Sequence, residues 1–173
     1  MRAGFETPRP SRMTFEDIDW RTWKPVDPAT LVFILRDDEV LLIRKKRGLG
    51  AGKINGPGGK LEASETPLQC AVREVKEELL ITPTGLCELG VNSFQFTDGY
   101  AIHVHVFTAS GFEGTPTETA EAVPLWFKRD AMPYDQMWED DCLWVPLVLA
   151  NQRFAGRYLF DGDRMLGYEL DTD

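Results

Sequence analysis

The sequence predicts an α/β fold, a curved mixed β-sheet sandwiched between helices. Three observations predict it. Strand-type residues recur at 30–35, 40–44, 86–97, 101–110 and 122–128. A capped amphipathic pattern at 66–79 interrupts them, and a second helical stretch at 137–153 follows them. Short turn signals, Asp37-Asp38 and Asp98-Gly99, join neighbouring strands.

Taken in order, residues 1–28 contain prolines and carry little pattern, and they read as an N-terminal arm before one domain at 29–173. Trp20 and Trp23 in the arm are expected to pack on that domain, the sharper alternative being a lid or a dimer contact. Thr30–Leu35 and Val40–Arg44 form a hairpin about Asp37-Asp38. Thr66 is set to cap a helix, with Pro67 at the first helical position and Gln69 completing a capping box. Leu68, Val72, Val75 and Leu79 recur at helical spacing and are expected to be its buried face, with Cys70 packed nearby. His103 and His105 lie two apart on one strand face, and no carboxylate or cysteine of matching spacing supports a metal role, so packing is expected. Phe94 and Phe96 also share a face and read as core or as the aromatic wall of a pocket. Pro146 inside the second helical stretch predicts a kink or a late start, and Asp140 or Asp141 could cap it. Residues 156–170 read as a terminal hairpin turning at Asp161-Gly162.

The 173 residues suffice for one domain with a real core. A net charge of −9 argues against a surface built for long nucleic acids or anionic membranes. No apolar run approaches twenty residues, and no signal-type apolar stretch opens the chain. Cys70, Cys87 and Cys142 lack metal-type spacing, and their odd number favours reduced thiols and a cytoplasmic protein.

Within Arg73-Glu74-Val75-Lys76-Glu77-Glu78, three glutamates occupy little more than one helical turn. Glu74 and Glu78 share a face and Glu77 flanks them, an arrangement of like charges that costs stability unless a cation neutralises it. Hard carboxylate oxygens suit Mg²⁺, with Mn²⁺ as an alternative, and such an ion suits a phosphate substrate. A solvated acidic helix face is the bland alternative. The glycine-rich turn Asn55-Gly56-Pro57-Gly58-Gly59 leads into this helix, and its backbone can approach a ligand closely. Lys45, in the basic cluster Lys45-Lys46-Arg47, can point inward by strand alternation and face a polyphosphate.

The register from Gly59 through Glu65 and Arg73-Glu74 to Glu77-Glu78 resembles the signature of the Nudix hydrolase family. One position departs: Leu80 stands where the family has glycine, so a different helix exit is expected, with one more residue of helix before Thr82-Pro83. From residue 29 onward the chain resembles the human-type, MutT-like oxidised-purine nucleoside triphosphatases of that family, through Lys45–Gly48 with Gly50–Gly52, Asn55-Gly56 with Gly58–Lys60, His105–Phe107, Gly114–Pro116, Trp126-Phe127, Met137-Trp138 with Asp140-Asp141, Trp144 with Pro146-Leu147, and Phe160–Gly162. That resemblance implies metal ligands at Glu74, Glu77, Glu78, Glu121 and the Gly58 carbonyl, with the catalytic base among Glu77, Glu78 and Glu121. It implies a base pocket of Asn55, Trp138, Asp140 and Asp141, with Thr30 and Lys45 beside it, to which the shared face of Phe94 and Phe96 would add a wall if they are not core. Glu65 and Arg73 would pair to brace the loop bearing Gly59. Leu49 stands where an aromatic residue is usual, which would alter stacking or base preference. The implied activity is Mg²⁺-dependent hydrolysis of nucleotides such as 8-oxo-dGTP and 2-hydroxy-dATP to monophosphate and pyrophosphate, clearing damaged precursors before DNA repair is needed. The expected partner is a small nucleotide, and the expected state a monomer, with dimerisation through the arm as the alternative. Other readings are hydrolysis of ADP-ribose or of an RNA 5′ end, or a nucleotide-binding module without catalysis. The three glutamates argue against the last of these, because binding alone has no need of them.

Overall fold

The computed structural model describes residues 13–173; residues 1–12, the first part of the expected arm, lie outside the described residues. A short 3₁₀ turn at Phe15–Asp17 precedes strands β1 (Asp27–Arg36), β2 (Glu39–Lys45), β3 (Ile54–Asn55) and β4 (Gly58–Lys60). Helix α1 (Pro67–Leu79) follows, then β5 (Thr82–Phe96), β6 (Ala101–Glu113) and β7 (Ala122–Lys128). Helix α2 (Asp141–Leu149) and the hairpin β8 (Phe154–Asp161) and β9 (Arg164–Thr172) complete the chain.

The sheet runs β3-β2-β1-β6-β5-β8-β9, with β4 also on β1 and β7 also on β2. It is mixed: β1 lies parallel to β6 and β5 parallel to β8, and the other pairs are antiparallel. A bulge between Glu88 and Gly90 breaks the β5–β6 register, and bulges bend strands. Alternation along β1 divides the core in two. Val32 and Ile34 face Ala71, Val75 and Leu79 of α1, whereas Ala29 and Phe33 face Trp144, Val145 and Val148 of α2. The helices therefore cover opposite faces of one sheet, as expected of the α/β class.

Helix α1 begins as its sequence dictates. Thr66 accepts a hydrogen bond from the Gln69 N–H at 3.2 Å, and Gln69 Oε1 accepts from the Thr66 N–H at 2.9 Å. The expected buried face needs correction. Leu68 is exposed in the first turn and Val72 only partly covered, while Cys70, Ala71, Val75, Glu78 and Leu79 are buried. The helix packs on β1, β4, β5 and β7. The exit of α1 also differs from the expectation of an extra helical residue. The helix ends at Leu79, and Leu80 itself adopts the left-handed conformation (φ 59°, ψ 32°) normally given to glycine.

The second helical stretch is shorter than the sequence suggests. A 3₁₀ turn covers Tyr134–Gln136, Met137 is extended, and α2 starts only at Asp141, later than expected but still five residues before Pro146, which lies inside the helix. Asn151 at φ 55° closes it. Asp140 stands at the cap position but makes no capping hydrogen bond, so the cap role does not hold. The expected packing of the two indoles does: Trp23 donates to Gln95 Oε1 at 2.8 Å, and Trp20 lies 5.4 Å from it, ring to ring. No helix among the described residues is long and apolar enough to cross a membrane.

Leu80 is 60% exposed, so its left-handed backbone is offset by little burial. Leu80→Gly is expected to raise unfolding free energy by about 0.5–1 kcal/mol, read as a higher urea midpoint with unchanged m-value.

Candidate active site

Three carboxylates converge at the edge of the sheet. One oxygen each from Glu74, Glu78 and Glu121 lies within 4.8 Å of the others. Glu74 and Glu78 meet because i and i+4 share a helix face. Glu121 arrives from the segment before β7, which is pinned against α1. The Thr117 N–H donates to the Leu79 carbonyl at 3.0 Å, and the Thr119 hydroxyl donates to the Glu78 carbonyl at 2.8 Å. Lys46 holds the same segment through the Thr119 carbonyl at 2.7 Å, and Arg47 pairs with Glu121 at 2.9 Å.

The loop over these carboxylates needs its glycines. A Cβ at Gly58 would overlap the Thr30 carbonyl oxygen, which the backbone cannot accommodate, and one at Gly59 would lie 2.5 Å from the Glu74 carboxyl carbon and displace that carboxylate. The Gly58 N–H donates to Glu78 Oε2 at 3.3 Å. Arg73 braces the assembly: it donates twice to Glu65, at 2.6 and 2.8 Å, to Glu74 at 2.8 Å and to the Lys60 carbonyl at 3.1 Å. The expected Glu65–Arg73 pair is present, and the guanidinium holds the Glu65 carboxyl down to about 2. Glu77 is half exposed and turned to Arg73 at 3.3 Å, outside the group of three.

Glu78 is buried, and loss of water pushes its carboxyl up to about 8, with Glu74 and Glu121 adding repulsion against the Gly58 N–H and Lys45. Burial also raises Glu74 despite Arg73. Lys45 points inward as expected. Burial lowers its pKa while Glu78, Glu74 and Glu121 oppose the fall, so it stands as the cation facing the group. An all-oxygen, like-charged set of this kind is the donor chemistry of a hard divalent ion.

A cavity of about 290 Å³ joins this region to the α2 side of the sheet. Lys45, Gly58, Gly59 and Glu78 line it together with Asn55, Phe94, Phe96, Trp138, Asp140 and Asp141. Thr30 lines it too, but is buried with its hydroxyl 3.3 Å from Cys70 Sγ, so it offers the cavity little polar contact. Asn55 Oδ1 takes the Gly56 N–H at 2.8 Å, which leaves its NH₂ group for a ligand. The Trp138 ring stands edge-on to Phe96 and Phe160, with Gly50 close against its Nε1. Leu49 lines the cavity and is about half exposed.

Asp140 and Asp141 are 1% and 2% exposed, two adjacent carboxyls with no ion-paired Lys, Arg or His among the described residues. Burial raises both pKa values, and mutual repulsion raises Asp141 further. The Trp144 indole donates to Asp140 Oδ2 at 2.6 Å, leaving Asp140 Oδ1 and Asp141 Oδ2 buried without partners. A shared proton and a ligand with both donor and acceptor edges would satisfy them. Trp144 as the group that orients Asp140, and Lys60, Tyr100 and Phe160 as cavity-lining residues, were not singled out from sequence. Only the spacing of Trp144 four residues after Asp140 signalled the first. His103 hydrogen-bonds to Ser93 and His105 to Glu88.

Comparison with known proteins agrees with this geometry. The model of the NUDIX domain matches residues 25–148, and the chain belongs to that family. Among its relatives are oxidized purine nucleoside triphosphate hydrolases. That of Danio rerio is 44% identical over 144 residues, covering 82% of this chain and 92% of the relative. That of Mus musculus is 43% identical over 143 residues, covering 82% and 92%. A MutT protein of Bacillus halodurans superposes with a TM-score of 0.74 at 27% identity, covering 84% of this chain and 98% of that one. The NAD-capped RNA hydrolase NudC of Pseudomonas aeruginosa is 34% identical over 136 residues, 79% of this chain but 43% of that protein.

Glu78, Asp140 and Asp141 are all easier to bury protonated. The stability they contribute in the metal-free protein is full below about pH 4 and is lost as pH rises, for Glu78 through about 8. Urea midpoints of metal-free protein are expected to fall from pH 5 to pH 9, and Glu78→Gln should lessen that fall.

Proposed function

We propose that the protein hydrolyses oxidised purine nucleoside triphosphates to the monophosphate and pyrophosphate, with Mg²⁺ as its metal. The observation that carries this reading is that one cavity is lined by Glu78 of the carboxylate group and by the buried pair Asp140 and Asp141. At about 290 Å³ it sits at the lower edge of ligand pockets, roughly 300–1,000 Å³, so it suits a base, leaving the phosphates beside the glutamates. The names of the Danio rerio and Mus musculus relatives support the same substrate class.

In this reading Glu74, Glu78 and Glu121 hold the ion, with the Gly58 carbonyl beside them, and Glu77 takes part only when it leaves Arg73. Bound Mg²⁺ would neutralise the phosphates and make the attacking water more acidic. Glu121, the most exposed of the three, is the candidate base: its partner Arg47 is itself well exposed, whereas Glu74 is held by the largely covered Arg73 and Glu78 is buried. Lys45 faces the phosphate chain. Asn55, Asp140 and Asp141 read the base edge, Trp138 offers its face, and Phe94 and Phe96 close the wall. With one proton between them, the two aspartates present a donor beside an acceptor. Exchanging that proton lets them meet both 8-oxoguanine and 2-hydroxyadenine. We further infer that the enzyme works in the cytoplasm as a monomer built of one catalytic domain, residues 29–173, behind an arm.

The test is steady-state hydrolysis of 8-oxo-dGTP, 2-hydroxy-dATP and dGTP, with pyrophosphate and phosphate assayed separately. Preference for an oxidised base with pyrophosphate as product is expected, and chelation of Mg²⁺ should abolish turnover. Equal rates on all three would discard the base-pocket reading, and activity confined to ADP-ribose or NAD-capped RNA would instead favour hydrolysis of another diphosphate, as the NudC relative's name suggests. Asp141→Asn is expected to lower kcat/KM for 8-oxo-dGTP about 10–100-fold, because it removes the shared proton. Glu78→Gln is expected to reduce kcat at least about 100-fold and to weaken metal dependence; unchanged turnover would remove Glu78 from the site.

A further inference from the structure

Trp138 is held from several directions. The loop 48–53 is closed on β2 by two backbone hydrogen bonds, from the Lys45 N–H to the Lys53 carbonyl at 3.0 Å and from the Gly52 N–H to the Lys45 carbonyl at 2.8 Å. Arg44 ties that loop to the segment before the indole, donating to the Gly52 carbonyl at 2.9 Å and to Gln136 Oε1 at 2.8 Å. Gly50 lies against the indole itself: a Cβ there would stand 2.8 Å from Trp138 Nε1. Phe96 and Phe160 meet the ring at steep angles, 72° and 86°. The Met165 N–H donates to Glu139 Oε2 at 3.2 Å, so the β8–β9 hairpin holds the residue next to the indole. Lys53 completes the seat. Its Nζ lies over the Trp138 ring, 5.1 Å from the centroid, and 3.5 Å from Asp163 Oδ2 in the turn between β8 and β9.

The proposed reaction makes no use of Lys53. Trp138 lines the cavity and Lys53 does not, so the ammonium sits against the side of the indole turned from the ligand. The Lys53 side chain is 27% exposed, whereas that of Asp163 is 75% exposed. An ammonium so largely covered gains little from one exposed carboxylate, and the indole face supplies further stabilisation. A cation over one face draws the ring's electrons toward itself and leaves the opposite face less negative. Aromatic faces repel where both are negative, so that opposite face accepts a purine more readily. The charge also reaches past the ring: at Asp141 it opposes the rise that burial and Asp140 cause.

The geometry points to Lys53 as a positioning residue for the purine: from behind Trp138 it fixes and polarises the ring on which the base stacks. It touches neither base nor phosphate and acts through the indole alone. This rests on the proposed function, because it needs a purine on Trp138. The test is a double-mutant cycle on 8-oxo-dGMP binding, measured by calorimetry with Mg²⁺ present, in wild type, Lys53→Met, Trp138→Leu and the double variant. Lys53→Met keeps the length of the side chain and removes its charge. It is expected to weaken 8-oxo-dGMP about three- to fivefold where Trp138 is present and less than about 1.5-fold where leucine replaces it. Lys53→Arg, whose planar cation also stacks on indole, is expected to stay within about twofold of wild type. In steady-state hydrolysis of 8-oxo-dGTP, Lys53→Met should raise KM by about the same factor and leave kcat within about twofold. An unchanged affinity in Lys53→Met, the same loss with and without Trp138, or a loss that Lys53→Arg does not recover would overturn the role. Wild-type protein that binds no 8-oxo-dGMP would overturn the proposed function together with it, whereas a failed cycle with wild-type binding intact overturns the role of Lys53 alone.

Discussion

The site depends on one guanidinium. Arg73 reaches Glu65 with two nitrogens, Glu74 and Glu77 with a third, and the Lys60 carbonyl besides, so loop, helix and strand β4 meet on a single planar group. Lysine could not substitute, because a point charge cannot hold two forked partners in fixed directions. With Arg73 in place, Glu74 lies against Gly59 and Glu78 lies under the Gly58 N–H. The close approach of three carboxylates is then a property of the folded chain, present before any cation arrives, and it resembles the preorganisation that catalytic sites require.

Burial gives both regions of the cavity lining their chemistry, with different outcomes. Around Glu78, desolvation and repulsion from Glu74 and Glu121 leave a group that gains most from a divalent ion. At Asp140 and Asp141 the same desolvation leaves a pair that gains most from a shared proton and a hydrogen-bonding ligand. Neither arrangement helps the fold. Apolar residues would pack these positions at lower cost, and carboxylates kept there are best explained by the ligands they meet.

Much of this was legible in the chain. The Thr66–Gln69 capping box, the Glu65–Arg73 pairing, the inward Lys45 and the hairpin about Asp37-Asp38 follow from local spacing, and local spacing is what sequence records best. Leu68 was misjudged because helical periodicity gives a face but not how far the sheet extends beneath the first turn. Leu80 shows a non-glycine residue held left-handed where the following strand must begin at once, which propensity alone disfavours. Thr30 and Glu77 share faces with the site, yet their side chains find nearer partners in Cys70 and Arg73. The roles of Trp144 and Tyr100 arise from contacts made only after α2 and the β5–β6 turn have docked, and little in their local sequence announces them.

The claim that Glu78 is held protonated by burial until a cation replaces its proton is tested most directly by calorimetric Mg²⁺ and Mn²⁺ titrations at pH 7. Paired buffers of different ionisation enthalpy report the protons released. The account predicts close to one proton per bound ion in the wild type and close to none in Glu78→Gln. Tight metal binding with no proton release, or equal release in both proteins, would contradict it.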